Sequence, residues 1–252
     1  EWLLVFVIAF AFLIRTSPVQ TYLAQRAASY LSDELKTTVK IDKVDIVFFD
    51  QVALDGFLIL DLQKDTLLAA ETIFGTLDEY DLANLKFNVG KVRLKEAYGH
   101  LKRDTSGVSN LQFIIDYFKS DSPPSGKTFQ MEIHTVELSN MRFRYDDEGR
   151  EPKDFGIDFT HLDVSNVNGN FEQIAIVGPD VKAKITNFSA LEKSGLHLKN
   201  ISAIASVGKN GIYLSEVDID VNESKLIAPK FNLIYSGFDD FSHFVDSVQF
   251  DG

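Results

Sequence analysis

From Thr37 onward, apolar residues recur at every second position. Val39-Ile41, Val52-Leu54, Val92-Leu94, Phe129-Met131-Ile133, Val136-Leu138, Ile157-Phe159, Val181-Ala183-Ile185, Leu196-Leu198 and Phe231-Leu233-Tyr235 all alternate with polar residues. This period of two predicts strands with one apolar and one wet face. That pattern fits antiparallel meanders and argues against a parallel sheet held between helices. Asp146-Asp147-Glu148-Gly149, Asn168-Gly169-Asn170 and Gly208-Lys209-Asn210-Gly211 lie between strand-like runs and read as hairpin turns.

A looser grammar repeats along the chain, with apolar residues at a start position, two later and five later. Val52-Leu54-Phe57, Val92-Leu94-Ala97, Val136-Leu138-Met141, Leu162-Val164-Val167 and Leu196-Leu198-Ile201 follow it, with Asp55-Gly56, Ser139-Asn140, Ser165-Asn166 and Lys199-Asn200 in the gaps of four. The odd spacing moves the apolar side chains to the other parity of the strand. A β-bulge does this, and Gly or Asn accepts the backbone it needs. The starts are unevenly spaced, so this is a recurring strand grammar, not a fixed solenoid unit.

Two stretches have helical period. Ser17 as cap, Pro18 at the first position and Gln20 at the third predict a helix start. Val19, Tyr22, Leu23, Arg26, Ala27, Tyr30, Leu31 and Leu35 then form one stripe, expected to pack over the open end of the following sheet. Ser109-Asn110-Leu111-Gln112 opens a second capped helix to about Lys119, followed by a Ser/Pro/Gly linker from Ser120 to Lys127. A short helix is expected over Asp239 to Val248.

The first segment differs from everything after it. Trp2 to Ile14 is 13 consecutive apolar residues, ended by Arg15. At ~1.5 Å per residue this is about 20 Å, short of a ~30 Å hydrocarbon core. With Glu1 and no basic flank before it, it reads as the outer part of a longer, uncleaved signal anchor, with Trp2, Leu3, Leu4, Phe6, Ile8, Phe10, Phe12, Leu13 and Ile14 as anchor residues. The following Arg15-Thr16-Ser17-Pro18 lacks the small-x-small pattern of a cleavage site. The expected organisation is a transmembrane anchor at 1–15, an amphipathic helix at 16–36 and a β-sheet domain at 37–252 carrying a helix and linker insert at 109–127.

Composition narrows the function classes. The 252 residues are 45% hydrophobic and 12% aromatic, with 21 Phe, enough to build a core without staples. The absence of cysteine excludes thiol catalysis, iron–sulfur ligation and a disulfide scaffold. A net charge of −12 makes nucleic acid a poor partner. That charge is uneven: Arg15 to Lys43 nets +2, whereas Val44 to Gly252 nets −13.

Candidate chemistry is nearly absent. His100, His134, His161, His197 and His243 are isolated from one another, and no helical metal-ligand pair exists. Asp218-x-Asp220-x-Asn222 resembles a calcium loop but has Glu223 where Gly is required and Pro229 where the bidentate Glu belongs. No nucleophile elbow or phosphate loop occurs. The expectation is a protein that is not an enzyme and takes no cofactor or metal.

Val39-Lys40-Ile41-Asp42, Val52-Ala53-Leu54-Asp55-Gly56-Phe57 and Asp65-Thr66-Leu67-Leu68-Ala69, after an anchor and an amphipathic helix, resemble the N-terminal region of the TamB-like family in the AsmA-like superfamily, of the Bacteroidota type. Leu101-Lys102-Arg103-Asp104, Gly107 and Asn110-Leu111 are similar to a strand-to-helix junction common in that group. The resemblance covers roughly the first 145 residues. It implies an inner-membrane-anchored, single-pass periplasmic protein with an elongated, curled antiparallel β-sheet. The hydrophobic groove of that sheet carries phospholipid between inner and outer membranes. It also implies a possible Omp85-type barrel partner, TamA-like, met through regions missing here. Such proteins are far longer, so the chain reads as a fragment of one.

Three functions follow as expectations. In the first, Val52, Leu54, Leu94, Leu101, Met131, Ile133, Leu138 and Phe143 line a groove that contacts acyl chains. In the second, an exposed strand edge augments an outer-membrane client. In the third, the chain is a ligand-free β-sandwich scaffold or adhesin.

Overall fold

The computed structural model describes residues 16–47, 51–81, 86–114, 116, 130–177, 180–208, 210–236 and 249–252. The anchor segment, most of the insert and the helix expected over Asp239 to Val248 lie outside these residues, as does Phe129. No helix among the described residues is long and apolar enough to cross a membrane.

Alternating apolar residues build a mainly β protein. One helix, α1 (Ser17–Leu35), precedes β1 (Val39–Lys40), β2 (Lys43–Val47), β3 (Gln51–Leu60), β4 (Thr66–Asp81), β5 (Lys86–Arg103), β6 (Gln130–Asp147), β7 (His161–Val177), β8 (Asp180–Glu192), β9 (His197–Gly208), β10 (Gly211–Val221), β11 (Ser224–Ile234) and β12 (Gln249–Asp251). They form one large, curled, open sheet in chain order, with β1 and β2 sharing the outer side of β3. Asp42 N–H bonds Asp55 O at 3.0 Å between them, making β1 and β2 one interrupted edge strand. At about 4.8 Å per strand, the row of strands spans on the order of 50 Å. Among the described residues the strands form this one open sheet and no second one.

One expectation about direction is corrected. All neighbours are antiparallel except β5 and β6, which run parallel from Lys86↔Gln130 to Arg103↔Asp147. A parallel pair requires a return crossing, and 26 residues, 104–129, separate the two strands in the chain. The return begins with an Asx-turn. Asp104 Oδ1 accepts from the N–H groups of Ser106 and Val108, and Ser109 then bridges back to Arg103. Helical backbone follows at 112–114, where Ser109 O accepts from Gln112 N–H.

Three turn and strand expectations also change. Asn168-Gly169-Asn170 lies inside β7, where a Cβ on Gly169 would come within 3.0 Å of Phe188 Cα. Gly is there for a close approach, not a turn. Ile157-Phe159 is not a strand: it belongs to a loop organised by Asp158, whose carboxylate accepts from Thr160 N–H, Thr160 Oγ1 and Lys153 N–H at 2.7–2.9 Å. Asp146 to Gly149 opens this longer loop rather than closing a tight hairpin. Gly208 to Gly211 does join paired strands, β9 and β10.

The helix start is corrected as well. The N-cap is Thr16, which makes no side-chain cap bond, and Pro18 sits one position later than expected. Ser17 spends its hydroxyl on Val44 O at 3.2 Å, and Gln20 is buried instead of closing a capping box. The apolar stripe faces the wrong way for the expected packing: Tyr22 is 60%, Leu23 53% and Tyr30 60% exposed.

The reason lies in what an edge strand needs. Its outer N–H and C=O groups want partners, and greasy side chains supply none. The opposite stripe of α1 supplies them. Thr21 Oγ1 both accepts from Val44 N–H (3.0 Å) and bonds Val44 O (3.2 Å). Ser32 Oγ pairs likewise with Val39 N (2.8 Å) and O (3.1 Å), and Gln25 Nε2 donates to Asp42 O (3.1 Å). Ser17, Thr21, Gln25, Ala28 and Ser32, three or four residues apart, form one face that closes the edge of the sheet.

Candidate functional site: the apolar face of the sheet

Long strands stay in register through a line of shared irregularities. Gly56, Glu96, Asn140, Asn166, Asn187 and Glu216 all hold left-handed backbone, with φ between +49° and +64°. The first four sit at the second gap position of the repeated grammar. Glu96 and Asn140 lie opposite one another between the pairs Lys95↔Ser139 and Tyr98↔Arg142. Together these residues form a seam across β3, β5, β6, β7, β8 and β10, where the strand that carries each one turns and its alternation changes parity. Gly56 has a second reason to be glycine: a Cβ there would come within 2.0 Å of Asp42 Oδ2.

The parity change keeps one face apolar on both sides of the seam. On one side, register partners run Val39, Ile59, Leu68, Gly99, Phe143 and Val164. On the other they run Val44, Leu54, Ile73, Leu94, Leu138 and Gly169. The longest row crosses eight strands without a polar residue: Phe87, Met131, Ile176, Val181, Val207, Ile212, Leu233 and Phe250. Such rows are continuous apolar paths perpendicular to the strands.

The other face is charged. Arg93 meets Glu137 at 2.9 Å and stacks over Phe74 at 4.8 Å. Arg142 makes a bidentate pair with Asp163 at 2.6 and 2.8 Å, His100 lies 2.6 Å from Asp146, and Lys184 pairs with Glu172 at 3.2 Å. Hydrogen bonding from Lys91 holds the Glu137 carboxyl below its ordinary range, and Arg142 does the same for Asp163. Exposed pairs of this kind contribute ~0–1 kcal/mol each, so they keep this face wet more than they stabilise it.

Of the eight residues expected to line a groove, Leu54, Leu94 and Leu138 share one apolar row, Phe143 stands in a second and Met131 in the longest. Val52, Leu54, Leu94, Leu101, Met131, Ile133, Leu138 and Phe143 are each half-buried. Within these strands the buried residues include Val39 and Val44 beneath α1, Ile174 opposite Ile133, and Ala70 and Ala97 at 4% and 2% exposed. Among the described residues each strand contacts only its hydrogen-bonded neighbours, apart from β1 and β2, which also meet α1, so no second layer covers the larger side chains of the rows. Sequence reasoning had missed Phe171 and Phe188, which pack edge-on with centroids 5.9 Å apart above Gly169. The signal available was the glycine itself, unexplained in a strand interior.

The buried ionisable groups lie at the strand ends, away from this face. Asp61 is fully enclosed, accepts from Asp65 N–H at 2.9 Å and Asn110 Nδ2 at 3.2 Å, and meets Lys102 Nζ at 3.4 Å. Lys102 also pairs with Asp65. Burial alone would lower the Lys102 pKa, but the two carboxylates outweigh it and the net shift is upward. This cluster pins the hairpin after β5 to the β3–β4 turn. Among the described residues, no group of three His, Asp or Glu side chains could hold a metal ion. A scan against protein-family models and a search of curated proteins return no match to this chain.

Proposed function

We propose that the apolar face is a groove for phospholipid acyl chains and that the chain is a membrane-anchored conduit between two membranes. One observation carries the reading: apolar rows run across the whole series of strands with no second layer over them among the described residues. A monomer does not leave such a surface to water without a use for it. Acyl chains fit because they need no directional partner, only contact, and each buried CH₂ contributes ~0.8 kcal/mol. Aligned rows would let a chain slide between near-equivalent positions. The resemblance to TamB-like proteins agrees with this reading and adds the setting, an inner-membrane anchor with the sheet in the periplasm and an Omp85-type partner met elsewhere in a longer protein.

The test is extraction and mass spectrometry of lipid from the chain purified in mild detergent, compared with Leu94→Asp and Ile133→Asp. Stoichiometric phospholipid on the parent chain, lost in both folded variants, supports the groove. Lipid-free parent protein, or lipid retained equally in the variants, opposes it.

A further inference from the structure

The polar face of α1 is fully engaged with the edge of the sheet, so its apolar stripe is directed away from the sheet altogether. Thr21 and Ser32 bond both main-chain groups of Val44 and Val39, and Ala28 is buried at that contact. Val19, Tyr22, Leu23, Arg26 and Tyr30 lie on the other side of the helix. Tyr22, Leu23 and Tyr30 are each more than half exposed, and no described element covers them.

We propose that α1 lies flat on a lipid bilayer through this stripe and seats the first edge of the sheet on the membrane. Three observations select a bilayer over another occupant. The stripe has interfacial chemistry: tyrosines and an arginine whose stem can lie along apolar surface among leucine and valine, with acids only at Asp33 and Glu34 in the last turn. The 13-residue apolar run ending at Ile14 is separated from the helix by only Arg15 and Thr16. The charge is polarised in the same sense. Arg15 to Lys43 nets +2 against −13 for Val44 to Gly252, so an anionic surface attracts this edge and repels the body.

The geometry fixes an orientation. α1 runs alongside β1 and β2, with Ser17 at Val44 and Ser32 at Val39, so its axis follows the strands. A helix flat on the bilayer therefore holds the strands parallel to the membrane, and the apolar rows that cross them lead away from it. This seating does not depend on the groove holding lipid, and its test reads the helix alone.

The chain has no cysteine, so single nitroxide labels can be placed cleanly. Leu23→Cys and Tyr30→Cys would be labelled in the full chain in nanodiscs of phosphatidylethanolamine and phosphatidylglycerol, with Tyr213→Cys on β10, itself 45% exposed, as reference. The proposal expects labels at 23 and 30 to collide with oxygen and to be shielded several-fold from an aqueous nickel chelate relative to 213. It is overturned if both are as open to nickel as 213. It is equally overturned if both are shielded from oxygen and nickel with spin–spin broadening, the signature of a second copy on the stripe. Groove occupancy is read separately by lipid mass spectrometry, so either reading can fail alone.

Discussion

Asn140 on β6 donates its side-chain amide to Glu96 on β5 at 2.7 Å, and both residues hold left-handed backbone at φ near +50°. They stand at the middle of the seam, where two 18-residue strands change parity together. An unbent pair of that length would twist its apolar side chains away from one another. The shared bulge is what lets Leu94 and Leu138 below it and Gly99 and Phe143 above it face the same space.

A β-branched residue at the seam is expected to cost stability where glycine does not. Asn140→Val forces a branched side chain into left-handed backbone and should destabilise by ~1–3 kcal/mol. Asn140→Gly keeps the backbone and loses only an exposed hydrogen bond. Urea midpoints of the two variants should therefore separate, and equal midpoints would mean that the seam is not under this constraint.

At the helix–edge contact, the expected ranking is the reverse of what hydrophobicity suggests. Thr21→Val leaves the N–H of Val44 without a partner while its carbonyl keeps Ser17 Oγ, a cost of ~1–3 kcal/mol for the unsatisfied group, and loosens the cover over an edge open to intermolecular pairing. Leu23→Asp, on the outward stripe, should leave the thermal midpoint nearly unchanged. A larger loss from Leu23→Asp would put the contact face on the other side of the helix.

Lys102→Met should be among the more damaging substitutions at the strand ends. It strands the fully enclosed Asp61 carboxylate, and breaking a buried pair in this way costs ~3–5 kcal/mol. The double variant Lys102→Met with Asp61→Asn should recover much of that loss. No recovery in the double variant would show that Lys102 acts through its stem packing rather than its charge.

The loop at Asp158 makes acid sensitivity local. Burial alone would raise this carboxyl, but hydrogen bonds from Thr160, Lys153 N–H and the neighbouring His161 outweigh it and hold it far below the usual aspartate range. A group depressed in the native state stabilises above its unfolded value, about 4, and that contribution fades as pH falls through 4 toward the native value. The parent chain should therefore lose stability between pH 5 and 3 more steeply than Asp158→Asn. Parallel slopes would remove Asp158 from the account of acid unfolding.

Much of this architecture was legible in residue spacing, because bulges leave a mark there. The start, plus two, plus five grammar with its Gly and Asn gaps located Gly56, Asn140 and Asn166, each of which holds left-handed backbone, while Glu96 does so in a gap with neither residue type. At Leu196-Leu198-Ile201 it located nothing of the kind: Asn200 has ordinary backbone, and the seam instead passes Asn187 on β8 and Glu216 on β10. Alternation reports which face a residue takes but not the direction of its neighbour, so the parallel pairing of β5 and β6 was hidden. The length of the insert between them was the overlooked clue. The face of α1 was misread for a different reason. Its apolar stripe is expected to pack over the open end of the sheet; the helix does lie at that edge, but an edge strand's unmet demand is for hydrogen bonds, so the polar face makes the contact.

The most direct test of the groove is photo-crosslinking in cells, with benzoylphenylalanine placed singly at Leu94, Leu138 and Phe143 on the apolar face and at Arg93, Glu137 and Arg142 on the charged one. The account expects phospholipid adducts at the first three positions and none at the second three. Adducts at neither set, or equally at both, would contradict it.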